Sequence, residues 1–308
     1  MPISAVSARK WFTYFLLTTT PIVAAGVEPN GPGNVASVPY RIVNRHQMVV
    51  EVSLNESGPY EFLLDTGTQM TMLEPSLAAE LGLKEEGRAK VGSVGIQASA
   101  TLSKIDKVGV GSHFVTELTV LVYDLNNLQA TGLGIRGVLG EDFLERFDFL
   151  IDNAQKKLWL DESGTMREAV KGQHVPLIAQ TPTEGGTLAN SLIVSARLSD
   201  GMRPVRLKLD SGANTCYLYN ASEFMALGAY RGVSLQGGGA NSTRRVFMAL
   251  PAQSMKIGGV GVNGVAFVTM VGVEKDAHTA DFDGLLSMGV FKRVFVSHAG
   301  QFAVLEGW

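Results

Sequence analysis

Two short stretches decide the fold: Glu61-Phe-Leu-Leu-Asp65-Thr-Gly67 and Arg206-Leu-Lys-Leu-Asp210-Ser-Gly212. Each is an apolar run that ends in an aspartate, a small hydroxyl residue and a glycine, and the two aspartates are 145 residues apart. The glycine permits a tight turn, and the hydroxyl can hydrogen-bond neighbouring backbone and hold the carboxylate at a surface. One such triplet is weak evidence, because aspartates that only cap turns are common.

The likeness between the two stretches continues downstream, so the chain contains an internal repeat. Further matches follow at nearly the same offset: Leu81-Gly82 with Leu227-Gly228, Val108-Gly109 with Ile257-Gly258, and Val138-Leu139 with Leu285-Leu286. In each copy, alternating strand patterns at 48–54 and 191–198 precede the strand that runs into the aspartate. Short helices are expected at 75–81 and 221–227.

Length and composition favour a β-rich protein of two lobes. The chain has 308 residues, 45% of them hydrophobic and 18% charged, with 35 glycines. We expect an all-β fold, mainly β with short helices. The expected organisation is a signal peptide at 1–26, an N-terminal lobe at 27–160, a linker and start of the second lobe at 161–190, and a C-terminal lobe at 191–308.

Several function classes are disfavoured by the sequence. The net charge is −3 and the sequence has no run of basic residues, so it lacks the positive charge pattern of a nucleic-acid-binding protein. Cys216 is the single cysteine and the five histidines are far apart, so neither a disulfide nor a metal site is expected. Two Gly-x-Gly-x-x-Gly matches, at 132–137 and 259–264, lack the strand and long helix of a dinucleotide site. No cofactor is therefore expected.

The N-terminal segment has the pattern of an export signal. Arg9 and Lys10 precede an apolar stretch at 11–17, and small residues follow at 21–25. The expected location is secreted or periplasmic. The alternative interpretations are an uncleaved segment that tethers the protein to a membrane and a plain disordered tail. No later stretch is apolar for long enough to cross a membrane.

The repeat gives the paired aspartates a chemical meaning. If the copies pack about a two-fold axis, Asp65 and Asp210 meet face to face. Two such carboxyl groups share one proton and titrate as a pair. The ionised member can activate a water molecule while the protonated member polarises a substrate carbonyl, which is chemistry that hydrolyses amides.

These residues resemble the active-site segments of the aspartic protease superfamily, retropepsin-like branch. The resemblance rests on Leu63-Leu-Asp-Thr-Gly-Thr68 with Thr71-Met-Leu73, and on Leu209-Asp-Ser-Gly-Ala213. It implies a bilobal acid-protease fold of two pseudo-symmetric retropepsin-like β-barrel lobes, with Asp65 and Asp210 catalytic. It also implies that Thr66 and Ser211 brace the two loops through hydroxyl-to-backbone hydrogen bonds. The other supporting residues of the loops are Gly67, Thr68, Gly212 and Ala213.

A second family feature is a strand that passes behind each catalytic loop. Gly137-Val-Leu-Gly140 resembles it in the first lobe and Gly284-Leu-Leu-Ser287 in the second, with Gly137, Gly140 and Gly284 as supporting residues. Ser287 stands where Gly140 stands in the first lobe and where the family prefers glycine, so looser packing is expected there. Glycine-containing hairpins near 89–102 and 234–247 resemble flaps over the substrate. Their candidate glycines are Gly92, Gly95, Gly237 and Gly238.

The function expected from these residues is that of an exported aspartic endopeptidase. Its partner would be a peptide or protein substrate bound between the lobes of a monomer. The alternatives are a catalytically weak peptide-binding protein with the same fold and an oligomeric scaffold. Cys216 is expected to be a small buried hydrophobe. Lys208 alternates with leucines and is expected to point away from the core.

Overall fold

The computed structural model describes residues 35–93, 96–125, 134–179, 192–198, 203–219, 231–237, 245–270 and 281–308. In this part of the chain 23 strands form three sheets and helices are short. The all-β bilobal fold class is thereby confirmed. The expected signal peptide, the helix at 221–227, Gly95 and Gly238 lie outside the described residues.

The described residues up to 176 form twelve strands and three short helices. They are β1 (Ser37–Pro39), β2 (Arg41–Val43), β3 (Gln47–Leu54), β4 (Ser57–Leu64), β5 (Met72–Leu73), α1 (Pro75–Glu80), β6 (Gly87–Ser93), β7 (Ile96–Val110), β8 (His113–Val122), β9 (Gly137–Leu139), α2 (Glu141–Leu144), β10 (Asp148–Asp152), β11 (Lys157–Asp161), α3 (Thr165–Ala169) and β12 (His174–Pro176).

The second half contributes eleven described strands and one 3₁₀ turn. They are β13 (Ile193–Arg197), β14 (Val205–Asp210), β15 (Cys216–Leu218), β16 (Arg231–Gly237), β17 (Arg245–Ala249), β18 (Gln253–Ile257), β19 (Val260–Val265), β20 (Phe267–Met270), β21 (Gly284–Ser287), the 3₁₀ turn Met288–Val290, β22 (Arg293–Ser297) and β23 (Phe302–Glu306).

The first lobe is an eight-stranded sheet in the order β2-β3-β4-β9-β5-β8-β7-β6. A further pairing of β3 with β7 closes the sheet into a barrel, with Leu54 opposite Val108. In β3, buried Val52 and Leu54 alternate with exposed Glu51 and Ser53, as expected for a strand with one face on the core. This alternation directs the apolar side chains of the hairpin β3–β4 into the barrel.

Strand β4 is buried on both faces where it approaches the aspartate. Phe62, Leu63 and Leu64 are each no more than 3% exposed. Phe62 and Leu64 pack in the main apolar cluster, and Leu63 packs in a second cluster on the other face. The neighbour β9 lies parallel to β4 and pairs Phe62 with Gly137. Parallel strands are covered on both sides and therefore carry continuous apolar runs.

The second lobe repeats this plan in a nine-stranded sheet of order β16-β17-β20-β15-β21-β14-β13-β18-β19. Strand β14 lies parallel to β21, as β4 lies parallel to β9, and Leu207 pairs with Gly284. The chain order and the strand neighbours of the two lobes therefore correspond around the two aspartates.

The third sheet joins the halves and has the order β1-β11-β10-β22-β23-β12. At its centre β10 of the first half pairs with β22 of the second, with Phe149 opposite Val296. Residues 161–190, expected to hold a linker and the start of the second lobe, include α3 and β12, and β12 pairs with β23. One continuous apolar cluster contains Phe62, Phe149 and Leu209, so both lobes and this sheet share a core.

The close packing of β9 against β4 can be tested at Gly137. A methyl group on this glycine would meet the Phe62 ring and lie 2.6 Å from the Met72 carbonyl oxygen. We expect Gly137→Ala to lower the free energy of unfolding by about 2–3 kcal/mol, because the backbone cannot yield without breaking the sheet. Chemical denaturation measures this loss.

The matched control is Gly261→Ala, at an exposed position of strand β19, where no neighbouring atom lies within 4 Å of the added methyl group. This variant should be no less stable than the parent. Equal stabilities of the two variants would contradict the packing argument.

Candidate active site

The two Asp-hydroxyl-Gly loops lie face to face between the lobes. Asp65 directly follows β4, and its amide donates to the Leu139 carbonyl at 3.0 Å. Asp210 ends β14 and lies in register with Ser287 of β21. Each aspartate therefore stands at the end of a strand that is locked to a parallel neighbour.

The two carboxyl groups are close to each other across the interface. A methyl group on Gly67 would lie 2.6 Å from Asp210 Oδ2 and 2.9 Å from Asp65 Oδ1, so these oxygens are at most 5.5 Å apart, the sum of the two distances. A methyl group on Gly212 would lie 2.5 Å from Asp65 Oδ1. Glycine is required in both loops, because any side chain at Gly67 or Gly212 would collide with the carboxylate of the opposite loop.

Thr66 and Ser211 brace the two loops through four reciprocal hydrogen bonds. The Thr66 hydroxyl donates to the Leu209 carbonyl at 2.9 Å and accepts from the Ser211 amide at 3.1 Å. The Ser211 hydroxyl donates to the Leu64 carbonyl at 2.8 Å and accepts from the Thr66 amide at 3.1 Å. Both side chains are fully buried. The brace fixes the backbone on each side of the aspartates.

Each carboxylate also accepts hydrogen bonds within its own loop. Asp65 accepts from the Gly67 amide at 2.8 Å and from the Thr68 hydroxyl at 3.0 Å. Asp210 accepts from the amides of Gly212 and Ala213, both at 2.8 Å. These bonds fix the orientation of the two carboxyl groups.

The environments of the two aspartates differ. Asp210 is 6% exposed, whereas Asp65 is partly exposed. Burial, and after it the charge of Asp65, raises the pKa of Asp210 well above its ordinary value. Desolvation and a like charge both favour the neutral form of Asp210.

The strand behind the first loop ends at Gly140, where a methyl group would lie 2.7 Å from the Met70 carbonyl carbon. The Gly140 amide donates to the Thr71 hydroxyl at 3.1 Å, and that hydroxyl donates to Asp142 at 2.7 Å. Burial raises the pKa of Asp142 to about 6, against the lowering effect of the hydrogen bonds from Thr71. The residue after Gly140 is Glu141, and its amide donates a hydrogen bond to the Thr68 carbonyl at 2.9 Å.

In the second lobe, the Ser287 hydroxyl replaces the Glu141 amide as the hydrogen-bond donor to the active-site loop. Its hydroxyl donates to the Ala213 carbonyl at 2.8 Å, and Ala213 occupies the place of Thr68. The hydroxyl also lies 3.2 Å from His46 Nδ1. Ser287 is fully buried, so the expected looser packing is not found at this residue.

The roles of three residues in the site were missed by sequence reasoning. Gln47, after the turn between β2 and β3, donates to the Gly212 carbonyl at 2.7 Å, and His46 contacts Ser287. No motif marked either residue. Lys208 alternates with Leu207 and Leu209 of the main apolar cluster, but its own face of β14 is also covered: it is 5% exposed, and its ammonium donates to the Gly67 carbonyl at 2.8 Å.

The predicted flap segments form hairpins. Strands β6 and β7 pair up to Ser93 opposite Ile96, and β16 and β17 pair up to Gly237 opposite Arg245. Gly92 lies in β6 and Gly237 ends β16. Closure of these hairpins over a substrate stays a prediction.

Comparison with known proteins agrees with this geometry. Residues 50–143 match the family model of aspartyl proteases, a segment that contains Asp65 and Gly140. The match supports an aspartic protease family assignment and confirms the resemblance seen in the sequence. A comparison with curated proteins found no match.

The brace should contribute strongly to stability. Thr66→Val keeps the side-chain shape but leaves the Leu209 carbonyl and the Ser211 amide without their partner. We expect a loss of about 2–4 kcal/mol in the free energy of unfolding. The matched control is Thr269→Val, at a fully buried threonine whose hydroxyl has no hydrogen-bond partner among the described residues. That change should be neutral or stabilising, and equal losses at both sites would refute the assigned role.

The substitute bond of Ser287 can be tested separately. Ser287→Ala removes the donor to the Ala213 carbonyl and leaves that buried group unsatisfied. We expect a loss of about 1–2 kcal/mol, measured by thermal or chemical unfolding. An unchanged or increased stability would mean that the hydroxyl only occupies space.

Proposed function

We propose that the protein is an exported aspartic endopeptidase that hydrolyses peptide bonds with a water molecule activated by Asp65 and Asp210. The observation that carries the proposal is the packing of each active-site glycine against the carboxylate of the opposite loop. Such packing keeps two carboxyl groups close enough to share one proton.

The different environments of the aspartates suggest their roles. Asp65, partly exposed, is the ionised base that removes a proton from water. Asp210, buried and protonated, donates its proton to the scissile carbonyl oxygen while the water oxygen attacks the carbonyl carbon. The tetrahedral intermediate then collapses: Asp65 passes its proton to the leaving nitrogen, the C–N bond breaks, and Asp210 recovers a proton from the intermediate's hydroxyl. No covalent bond to the enzyme forms.

The surrounding hydrogen bonds hold both carboxyl groups in position for this chemistry. The Gly67 amide and the Thr68 hydroxyl hold Asp65, and the amides of Gly212 and Ala213 hold Asp210. The brace of Thr66 and Ser211 prevents the loops from separating. Reacting groups held in a fixed geometry avoid the entropic cost of bringing them together.

The substrate is proposed to be an extended peptide or protein segment between the lobes, beneath the two glycine-containing hairpins. Export is proposed from the N-terminal signal pattern alone. None of the helices among the described residues has the length and apolar character needed to cross a membrane.

The decisive experiment is cleavage of a mixed peptide library by the full-length protein at pH 3 to 8. We expect cleavage by the parent and a fall in kcat/KM of about 10²–10⁴-fold or more in Asp65→Asn and in Asp210→Asn, because each removes one partner of the acid–base pair. The matched control is Asp106→Asn, at an exposed aspartate of β7, which should keep full activity.

Unfolding curves of all the variants establish that they fold. If the folded parent cleaves nothing yet binds peptides, and both active-site variants bind equally well, the protein is a peptide-binding protein and the proposal fails.

A further inference from the structure

Lys208 is a buried cation beside the two aspartates. It lies in β14 two residues before Asp210, is 5% exposed, and donates to the Gly67 carbonyl of the opposite loop at 2.8 Å. Among the described residues its ammonium forms no ion pair with a carboxylate. A buried ammonium is costly unless it is compensated, so its position calls for an explanation.

The fold does not require a charge at this position. In the first lobe the corresponding residue is Leu63, which pairs with Val138 as Lys208 pairs with Leu285. Leu63 is 3% exposed in an apolar cluster. A leucine therefore satisfies the same backbone in one copy of the repeat, and the lysine of the other copy has a different role.

Glu141 is the second unusual group near the pair. It begins α2, is fully buried, and neither carboxylate oxygen has a hydrogen-bond partner in the described part of the chain. Burial raises its pKa to about 8, against the lowering effect of the Lys208 charge. At acidic pH burial therefore favours the neutral form of Glu141, which does not offset the Lys208 charge.

The charged groups that act on this centre come from both lobes. Asp65 and Asp210 lie on the two loops, and Glu141 lies on α2 with Asp142 and Glu145 beyond it. His46 faces the Asp210 loop through Ser287, and burial, with the charge of Arg45, lowers its pKa. Cys216 and Tyr217 are neutral at acidic pH, and burial raises the pKa of both still further above that range. Among the described residues, Lys208 is a cation whose charge acts on both Glu141 and Asp210.

We propose that Lys208 is a positioning residue that holds Gly67 in place and, through its charge, keeps the aspartate pair singly ionised at a lower pH than the two carboxyl groups would reach alone. The proposal rests on the proposed function. A cation in a poorly solvated site favours every ionised form of the pair. Its removal should therefore move both limbs of the activity profile to higher pH.

The test compares Lys208→Met, which restores the apolar character of Leu63, with Lys208→Arg, which keeps the charge. We expect both limbs of the pH profile of kcat/KM to rise by on the order of one pH unit in Lys208→Met. In Lys208→Arg the limbs should stay within a few tenths of a unit of the parent. Glu141→Gln should leave the acidic limb in place, because Glu141 is already neutral there.

A second readout does not depend on hydrolysis. Carbon-13 NMR of aspartate-labelled protein, with signals assigned through Asp65→Asn and Asp210→Asn, follows the titration of the pair directly. The expected result is the same upward shift in Lys208→Met. If Lys208→Met lowers kcat equally at every pH and the titration does not move, Lys208 is only structural and the proposal fails.

Two further outcomes separate the two proposals. If the parent cleaves nothing but the titration shifts, the proposed function fails and the electrostatic role of Lys208 stands. If Lys208→Met does not fold, Lys208→Gln replaces it, with the same expected shift and the same refuting result.

Discussion

The reciprocal brace of Thr66 and Ser211 is the interaction on which the rest of the structure depends. Each hydroxyl donates to a carbonyl and accepts an amide of the opposite loop, so both hydrogen-bonding capacities of each side chain are used in the interior. Only a small hydroxyl residue can do this. The parallel pairs β4–β9 and β14–β21 bring the loops to this meeting point, and the adjacent glycines let the carboxylates approach.

The sequence predicted what is local and repeated. Two Asp-hydroxyl-Gly triplets at equivalent points of a repeat identified the aspartates and the lobed β-fold. The six-stranded sheet was not predicted, because Phe149 and Val296 pair from short strands far apart in the chain. The burial of Lys208 was not predicted, because alternation implies a solvent face only when one side of a strand is open. Strand β14 is covered on both sides, as parallel strands are.

The two lobes meet the same backbone requirement with different atoms. A carbonyl in each active-site loop accepts a hydrogen bond from a residue at or just after the end of the strand behind it. In the first lobe the donor is the Glu141 amide, and in the second it is the Ser287 hydroxyl. Two identical subunits could not differ in this way. A single chain with two copies can, and the lysine in place of Leu63 is a second such difference.

The six-stranded sheet makes the folding of one half conditional on the other. Phe149, Leu150 and Ile151 of β10 are buried, and β22 of the other half supplies the hydrogen-bonding partner on one side of this strand. During synthesis this edge exists long before its partner strand. Until then it is an apolar strand with unpaired backbone, the kind of surface that captures strands of other chains. The yield of folded protein should therefore depend more on how soon β10 pairs with β22 than on the stability of either lobe.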